Sequence, residues 1–286
     1  MPKQKSLYFD SQGNPKLKNS YCVFMDILGF SRLSQKAFFD GQGEPLLIKI
    51  HKALTSQEKD FTPDSSPGFP PDWHAKFFTD NLVVGQIITS EDGESEFGFI
   101  ILQMMIYQAR LAMEGLFVRG GVSIGDLFID DNTVFGPSLI QAYRIESQIA
   151  QEPRILLSDE VFEILKSQME YYKHQFDSPQ NNHILIDSDG KPFVNYLAVL
   201  FEDSDSTEDY VTPWNWLKVH KKHIEQNLVD YQDNPYVWSK YKWLAEYHNF
   251  FCTEYKNFPE FGYDENALIN PDLANRHPSR IISTPD

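Results

Sequence analysis

The stretch YCVFMDILGF (21–30) decides the fold, because it is a short apolar run that stops abruptly at a charged residue. Its first five residues are apolar, which is typical of a strand buried on both faces of a sheet. Asp26 follows directly, and a carboxylate is not stable in a core without a partner. Asp26 therefore either caps a following helix or belongs to a functional site at the end of the strand.

A second acidic residue stands at a comparable place in FFTDNLVV (77–84), where Asp80 separates two segments that are predicted to form a hairpin between residues 74 and 88. Taken alone, Asp-Asn is typical of an ordinary turn. If the strands that carry Asp26 and Asp80 are neighbours, however, both carboxylates emerge at one end of the sheet. They would repel each other unless cations bridge them, and hard oxygen ligands suit Mg²⁺ or Mn²⁺. Two such ions favour phosphoryl or nucleotidyl transfer.

The other predicted elements follow from apolar periodicity and from turn residues. Their order predicts an α+β sandwich, in which helices pack on a mainly antiparallel sheet. After the strand at 21–25, the predicted elements are helices within 31–59, a loop at 61–72, the hairpin at 74–88, a helix at 97–114, strands at 116–128 and 133–135, a helix at 137–150, a strand at 154–157, a helix at 159–171 and a hairpin within 183–201.

Composition divides the chain into three regions. Residues 1–20 are polar and are predicted to be a loose lead-in, and residues 21–202 form the α+β domain. The acidic segment EDSDSTED (202–209) marks the change to a C-terminal helical extension, residues 203–286, with aromatic-rich helical patterns at 213–231 and 235–255. An aromatic stripe at helical spacing usually packs into a core, so we expect these helices to cover the domain or to extend a dimer interface.

Charge and cysteine content limit the classes of partner. The net charge of −16 and the pI of about 4.9 disfavour binding to nucleic acid and to anionic membranes. The most apolar long window, residues 97–118, contains too many polar residues for a membrane span, and the N-terminus lacks a signal-peptide pattern. With two cysteines and no disulfide framework, the chain is expected to be cytoplasmic.

Four segments carry a resemblance to a known family: FMDILGF (24–30), KFFTD (76–80), RGGVSIGD (119–126) and FGPSLIQAYRIES (135–147). They resemble the motif regions of class III nucleotidyl cyclase catalytic domains, and the first three occur in the expected order. The resemblance covers about residues 20–200 and implies a ferredoxin-like sandwich. The helical tail, with KYKWLAEYHNFF (240–251), is similar to bacterial cyclases of the Pycsar anti-phage system, which make cyclic UMP or cyclic CMP.

The resemblance implies a metal site and a reaction. Asp26, Asp80 and the backbone carbonyl of Ile27 match the ligands of two divalent ions, Mn²⁺ or Mg²⁺. One ion would activate the ribose 3′-hydroxyl for attack on the α-phosphorus. The other would hold the β- and γ-phosphates, and pyrophosphate would leave.

The resemblance also implies substrate contacts. Arg144 matches an arginine that stabilises charge on the α-phosphate in the transition state, although it could instead pair with a nearby acid, Glu146 or Glu152, on the helix surface. Lys76 and Thr133 match the two base-reading positions. Phe30 and Lys191 are further candidates for contact with the substrate.

Two departures from the family pattern concern specificity. Ile140 stands where an asparagine orients the ribose, and Thr133 replaces the aspartate expected of an adenylate cyclase. Both changes are compatible with a pyrimidine substrate, UTP or else CTP. An adenylate or guanylate cyclase and a catalytically silent nucleotide sensor remain as alternatives.

The distance between two candidate site residues on one predicted strand indicates whether one chain or two chains form the site. Lys76 and Asp80 are four residues apart, so their backbones lie about 13 Å apart if the strand is extended. The residue that contacts the base and the residue that binds the metal would act at opposite ends of one nucleotide. Such a geometry fits better if separate chains contribute the two residues. The resemblance implies a head-to-tail homodimer with two shared sites, whose product is read by a separate effector protein.

Overall fold

A computed structural model describes residues 6–55, 73–172, 182–202, 213–257, 263–270 and 282–283. Nine strands of this part of the chain form one sheet in the order β2-β3-β1-β4-β6-β8-β7-β9, with β5 paired to β4. The pairing of β4 with β6 is parallel, and the other pairings are antiparallel. The strands are β1 (Lys18–Ile27), β2 (Trp73–Phe78), β3 (Asn81–Ile87), β4 (Val118–Ile129), β5 (Val134–Phe135), β6 (Ile155–Leu157), β7 (Ile184–Ile186), β8 (Pro192–Val194) and β9 (Ile282–Ser283).

Helices connect and cover these strands. They are α1 (Phe30–Phe39), α2 (Gly43–Thr55), α3 (Glu94–Met113), α4 (Pro137–Arg144), α5 (Asp159–Tyr172), α6 (Val199–Glu202), α7 (Pro213–Asp230) and α8 (Pro235–Glu254). The succession from β1 to β4 is the β-α-β-β-α-β order of a ferredoxin-like unit. The predicted α+β class with a mainly antiparallel sheet is therefore confirmed.

Three local differences from the predictions concern element ends. β1 extends beyond the apolar run on both sides, to Lys18–Ile27, and the hairpin turn falls on residues 79–80, one residue earlier than predicted. The helix predicted at 137–150 is α-helical only to Arg144 and continues as a π-helical turn, Ile145–Ile149. The predicted loop at 61–72 and most of the acidic segment lie outside the described residues.

The sheet separates a large core from a small one. Alternate residues of β1 point to opposite faces, so Tyr21, Val23 and Met25 join the core beneath α3, and Cys22 and Phe24 join the smaller core on the other face. Tyr8 is completely buried in this smaller core and its hydroxyl lies 2.9 Å from Ser20 Oγ. The prediction of a loose lead-in is therefore wrong for the segment around Tyr8, which packs against the sheet.

The C-terminal helices share the large core with the sheet. Trp214 and Leu217 of α7 and Leu244 of α8 are buried there, and the ring of Trp243 packs against Phe193 of β8 with centroids 5.4 Å apart. These helices thus cover the domain, which is one of the two roles that the aromatic pattern predicted. No helix in the described part of the chain is both long enough and apolar enough to cross a membrane.

Gly121 determines how closely α4 and the π-helical turn approach β4. A Cβ atom at this position would lie 2.5 Å from the carbonyl oxygen of Ala142 and 2.6 Å from Cβ of Ile145. Both neighbours are parts of a packed helix, so neither can move aside easily. The absence of a side chain at Gly121 therefore allows residues of the turn to reach the end of the sheet.

We expect Gly121→Ala to destabilise the protein by about 1–3 kcal/mol, because the added methyl group forces the helix away from β4. Urea unfolding measures the change. Gly43→Ala is the control, since its added Cβ would meet only the exposed ring of Phe38, at 3.0 Å. Equal losses in the two variants would contradict this account of the packing.

Candidate active site

Two acidic side chains meet where β1 ends. Asp26 is paired in register with Asn81 of β3, and Asp80 directly precedes Asn81 in the hairpin turn. The backbone N–H of Ile27 donates to the carbonyl oxygen of Asp80 at 3.2 Å, which fixes the turn against the end of β1. The carboxyl of Asp80 lies close enough to that of Asp26 to raise its pKa, and Asp26 does not cap the following helix.

The turn that carries Asp80 has a strained backbone. Thr79 adopts a φ of 56°, a left-handed conformation that β-branched residues rarely adopt. The side-chain amide of Asn81 donates to Thr79 Oγ1 at 3.2 Å and to Asp80 Oδ1 at 3.4 Å. Such strain often accompanies functional sites, and here it accompanies a turn that directs Asp80 toward Asp26.

Two further charged residues complete the cluster. Arg119 is opposite Asp26 in the register of β4 with β1, and its Nη2 lies 3.6 Å from Asp26 Oδ2. Its Nε lies 2.7 Å from Oε1 of Glu146, a buried residue of the π-helical turn. We refer to Asp26, Asp80, Arg119 and Glu146 as the acidic cluster.

Negative charge dominates the acidic cluster. The pKa of Asp26 is raised well above its ordinary value, first by burial, then by the carboxyl of Asp80 and the charge of Glu146; Arg119 offsets only part of the shift. Burial also raises the pKa of Glu146. The site therefore holds more negative charge than its arginine neutralises, and an additional cation would stabilise it.

The donor set fits a divalent cation. The described residues contain no group of three or more His, Cys, Asp or Glu side chains arranged to hold a metal. Two carboxylates are nevertheless what Mg²⁺ commonly takes from a protein, because water and substrate phosphates supply its other ligands. The carbonyl of Ile27 remains a predicted ligand, while its side chain is buried in the large core.

Lys76 lies on the same face of the sheet as the acidic cluster. It is paired with Val83, which is paired with Phe24, two residues before Asp26. Side chains two residues apart on a strand share a face. Phe30, by contrast, is the first residue of α1 and packs partly buried against the large core.

Thr133 and Arg144 lie apart from the acidic cluster. Thr133 is exposed in the turn after β4, and its N–H donates to Asp130 Oδ1 at 2.6 Å. Since β4 continues ten residues beyond Arg119 to Ile129, this turn lies about 33 Å along the strand from Asp26. Arg144 is exposed at the end of α4.

The suggested surface pairing of Arg144 with a nearby acid is wrong. Glu146 turns inward to Arg119, and Glu152 accepts from Arg154 Nη2 at 3.0 Å. A two-residue step along a helix reverses the direction of a side chain, so Arg144 and Glu146 cannot share a face.

Lys191 belongs to another charged group. Its Nζ donates to Asp189 Oδ2 at 2.9 Å, and the same oxygen accepts from the buried Arg154 at 2.6 Å. Asp187 joins them by accepting from Arg154 and, at 2.6 Å, from the indole N–H of Trp243 on α8. This network links the β7–β8 hairpin to the C-terminal helices.

The sequence did not predict that Arg119 and Glu146 belong to the site. Arg119 had one visible signal, since it is a charged residue between apolar positions of a predicted strand, in FVRGGV (117–122). Glu146 had none, because its inward direction depends on the π-helical turn. π-Helical turns are rare in proteins overall, but those that occur often lie at functional sites.

Among known proteins, the chain is similar to solved structures. No family model matches the chain, and no curated protein matches it. A solved class III adenylyl cyclase-like ATP-binding protein from Pseudomonas aeruginosa is similar with a TM-score of 0.40 and 12% identity, over 52% of this chain and 35% of that one. An adenylate/guanylate cyclase/hydrolase from Silicibacter pomeroyi is similar with a TM-score of 0.34 and 18% identity, over 54% and 83%. The chain thus spans about a third of the first protein, and similarities at these identities concern the fold alone.

Proposed function

We propose that this chain is a metal-dependent nucleotidyl cyclase, which converts a nucleoside triphosphate into its 3′,5′-cyclic monophosphate and pyrophosphate. The observation that carries the proposal is the meeting of Asp26 and Asp80 at the end of β1, with more negative charge than Arg119 offsets. Such a site is suited to bring cations to a triphosphate, whose own charge an acidic protein would otherwise repel.

In this proposal Asp26, Asp80 and the carbonyl of Ile27 hold two Mn²⁺ or Mg²⁺ ions. When bound, the ions lower the pKa of the ribose hydroxyl and balance the phosphate charge. The ribose 3′-hydroxyl would lose its proton to solvent and its oxygen would form a bond to the α-phosphorus, while the bond from that phosphorus to the β-phosphate oxygen breaks and pyrophosphate leaves. The strained turn at Thr79 keeps Asp80 directed at Asp26 throughout.

The remaining substrate contacts are proposed to come from a second copy of the chain. Thr133 is too far along β4 to touch a nucleotide that also reaches Asp26 of the same chain. A head-to-tail homodimer would bring Lys76, Thr133 and Arg144 of one copy to the metal-binding aspartates of the other. Arg144 is exposed and so is able to approach an α-phosphate, where a fixed positive charge stabilises the transition state.

We further propose a pyrimidine substrate, with UTP favoured over CTP, and a role for the product as a messenger in anti-phage defence that a separate effector reads. The threonine at position 133 and the isoleucine at position 140 support this choice, because neither supplies the contacts expected of an adenylate cyclase. The proposal for the product's role rests on the resemblance of the helical tail.

Incubation of the purified chain with Mn²⁺ and each of ATP, GTP, CTP and UTP tests both parts of the proposal. We expect cyclic UMP or cyclic CMP to form, identified by mass spectrometry, at a rate at least about tenfold above that of either purine product. Turnover of a purine alone would contradict the pyrimidine assignment. No cyclic product from any of the four would contradict the enzyme.

A catalytically silent nucleotide-binding protein is the second candidate. It is favoured by Arg119, whose positive charge already lies 3.6 Å from Asp26, and by the exposed Ile140, which cannot hydrogen-bond a ribose. Equilibrium binding of a triphosphate with no cyclic product after prolonged incubation would support this candidate over the enzyme.

A further inference from the structure

Arg119 lies between two carboxylates that belong to different parts of the fold. Its Nη2 is 3.6 Å from Asp26 Oδ2, beyond hydrogen-bonding distance, and its Nε is 2.7 Å from Glu146 Oε1. Despite the short second distance, neither of these two atoms has an aligned hydrogen bond among the described residues. The charge of the guanidinium therefore lies between the two acids, closer to Glu146 than to Asp26.

The two acids differ in how strongly they need this cation. The side chain of Glu146 is 4% exposed, whereas that of Asp26 is 20% exposed at the open end of the sheet. An ionised carboxylate as buried as Glu146 is costly without a partner. Asp26 also has Asp80 beside it, so the pair can take a different cation. Arg119 can therefore leave Asp26 without losing its more strongly required partner.

We infer that Arg119 is a positioning residue that competes with divalent cations for Asp26, and that Glu146 limits this competition by holding the guanidinium back. The inference rests on the proposed function, because it concerns the same metal site. A fixed positive charge within about 4 Å of a ligand oxygen repels an incoming dication. The site would thus bind metal weakly by itself and more strongly once the phosphates of a nucleotide add negative charge.

Two substitutions are expected to change metal affinity in opposite directions. Arg119→Met removes the competing charge and keeps most of the side-chain length. We therefore expect Mn²⁺ to bind about tenfold more tightly, which corresponds to the lower end of the change of about 1–3 units that a neighbouring positive charge causes in a carboxylate's pKa. Glu146→Gln releases Arg119 toward Asp26, so Mn²⁺ should bind several-fold more weakly. Arg119→Lys keeps the charge and should stay close to wild type.

The double variant separates this mechanism from a direct effect of the Glu146 charge. If Glu146 acts through Arg119, Glu146→Gln weakens Mn²⁺ binding in the wild-type chain and has no effect when Arg119→Met is already present. If Glu146 acts on the metal through its own charge, the loss is equal in both backgrounds, and that result would overturn the inference.

The measurement is a titration of the full chain with Mn²⁺ alone, in which the electron paramagnetic resonance signal of free Mn²⁺ is lost on binding. Circular dichroism checks the fold, and Arg119→Gln replaces Arg119→Met if the latter does not fold. Wild-type binding that Arg119→Met fails to tighten overturns the competition and leaves the proposed function standing. Absence of Mn²⁺ binding in wild type and in Arg119→Met also overturns the competition, whereas the nucleotide panel tests the proposed function separately, and binding only in the variant supports the inference.

Discussion

Cyclase activity is expected to fall at least about a thousandfold in Asp80→Asn and in Asp26→Asn, while neither variant loses thermal stability. The loss of activity follows because an amide supplies a neutral oxygen where a divalent cation needs a charged one. The retained stability follows from the like charges at the site. Burial and the carboxyl of Asp80 raise the pKa of Asp26, which means that the ionised pair is unfavourable in the folded chain without metal.

Product formation at saturating Mn²⁺ and differential scanning calorimetry without metal measure the two effects. Asp126→Asn is the matched control, because Asp126 is an exposed residue of β4 at the end away from Arg119. It should leave both quantities unchanged. Normal turnover in either cluster variant would remove the metal assignment, and a large fall in melting temperature would indicate that the acids stabilise the fold instead.

The part of the site that could be predicted from sequence is the part fixed by neighbouring strands. An apolar run that ends at Asp26 and a hairpin that turns at Asp80 bring two carboxylates together as soon as β1 pairs with β3. Local patterns contain both the strands and the turn, so the meeting of the acids follows from strand adjacency. The β-α-β-β-α-β order follows in the same way.

The part that could not be predicted depends on contacts between distant segments. Arg119 lies opposite Asp26 because of the register in which β4 pairs with β1, and the sequence of neither strand predicts that register. The inward direction of Glu146 requires a π-helical turn packed over Gly121. The burial of Tyr8 depends on a pocket formed by side chains on strands far along the chain. Each is a product of tertiary packing.

A second large effect is expected from two buried histidines, His220 on α7 and His248 on α8, which belong to one chain of hydrogen bonds. The hydroxyl of Tyr196 lies 2.6 Å from His220 Nε2, the Nδ1 atoms of His220 and His248 are 2.8 Å apart, and His248 Nε2 lies 2.8 Å from the carbonyl oxygen of Ala267. Because a carbonyl only accepts, His248 must donate from Nε2. It therefore accepts at Nδ1 from His220, which accepts from Tyr196.

In this arrangement of donors and acceptors both imidazoles are neutral. A proton added to His248 would place its Nδ1–H against that of His220, unless His220 changes tautomer and Tyr196 reverses its hydrogen bond. Burial lowers the pKa of His248 from 6.5 to about 4, and burial with the neighbouring His248 lowers the pKa of His220 well below its ordinary value. The unfolded chain binds these protons as the pH falls through 6.5, whereas the folded chain does not. Acidification from pH 7 toward 4 therefore destabilises the fold through this pair.

Replacing His248 by Gln should remove much of this loss. Glutamine can donate to Ala267 and accept from His220, and it does not titrate. Between pH 7 and 4.5 we expect the stability of His248→Gln to improve relative to wild type by about 2–3 kcal/mol, from 1.36 kcal/mol for each unit between the folded and unfolded pKa values. Urea unfolding at several pH values measures the difference.

The comparison with wild type at each pH is essential, because other groups titrate nearby. Protonation of Asp26 in the same range acts in the opposite direction, since its raised pKa favours the folded chain as the pH falls. The lowered pKa of Glu96, about 2, matters only below about pH 4.5. The difference between variant and wild type cancels both contributions. Lys36→Gln, at an exposed position of α1 outside this network, is the control and should follow wild type. Identical acid sensitivity in His248→Gln and wild type would show that the buried pair does not limit stability at low pH.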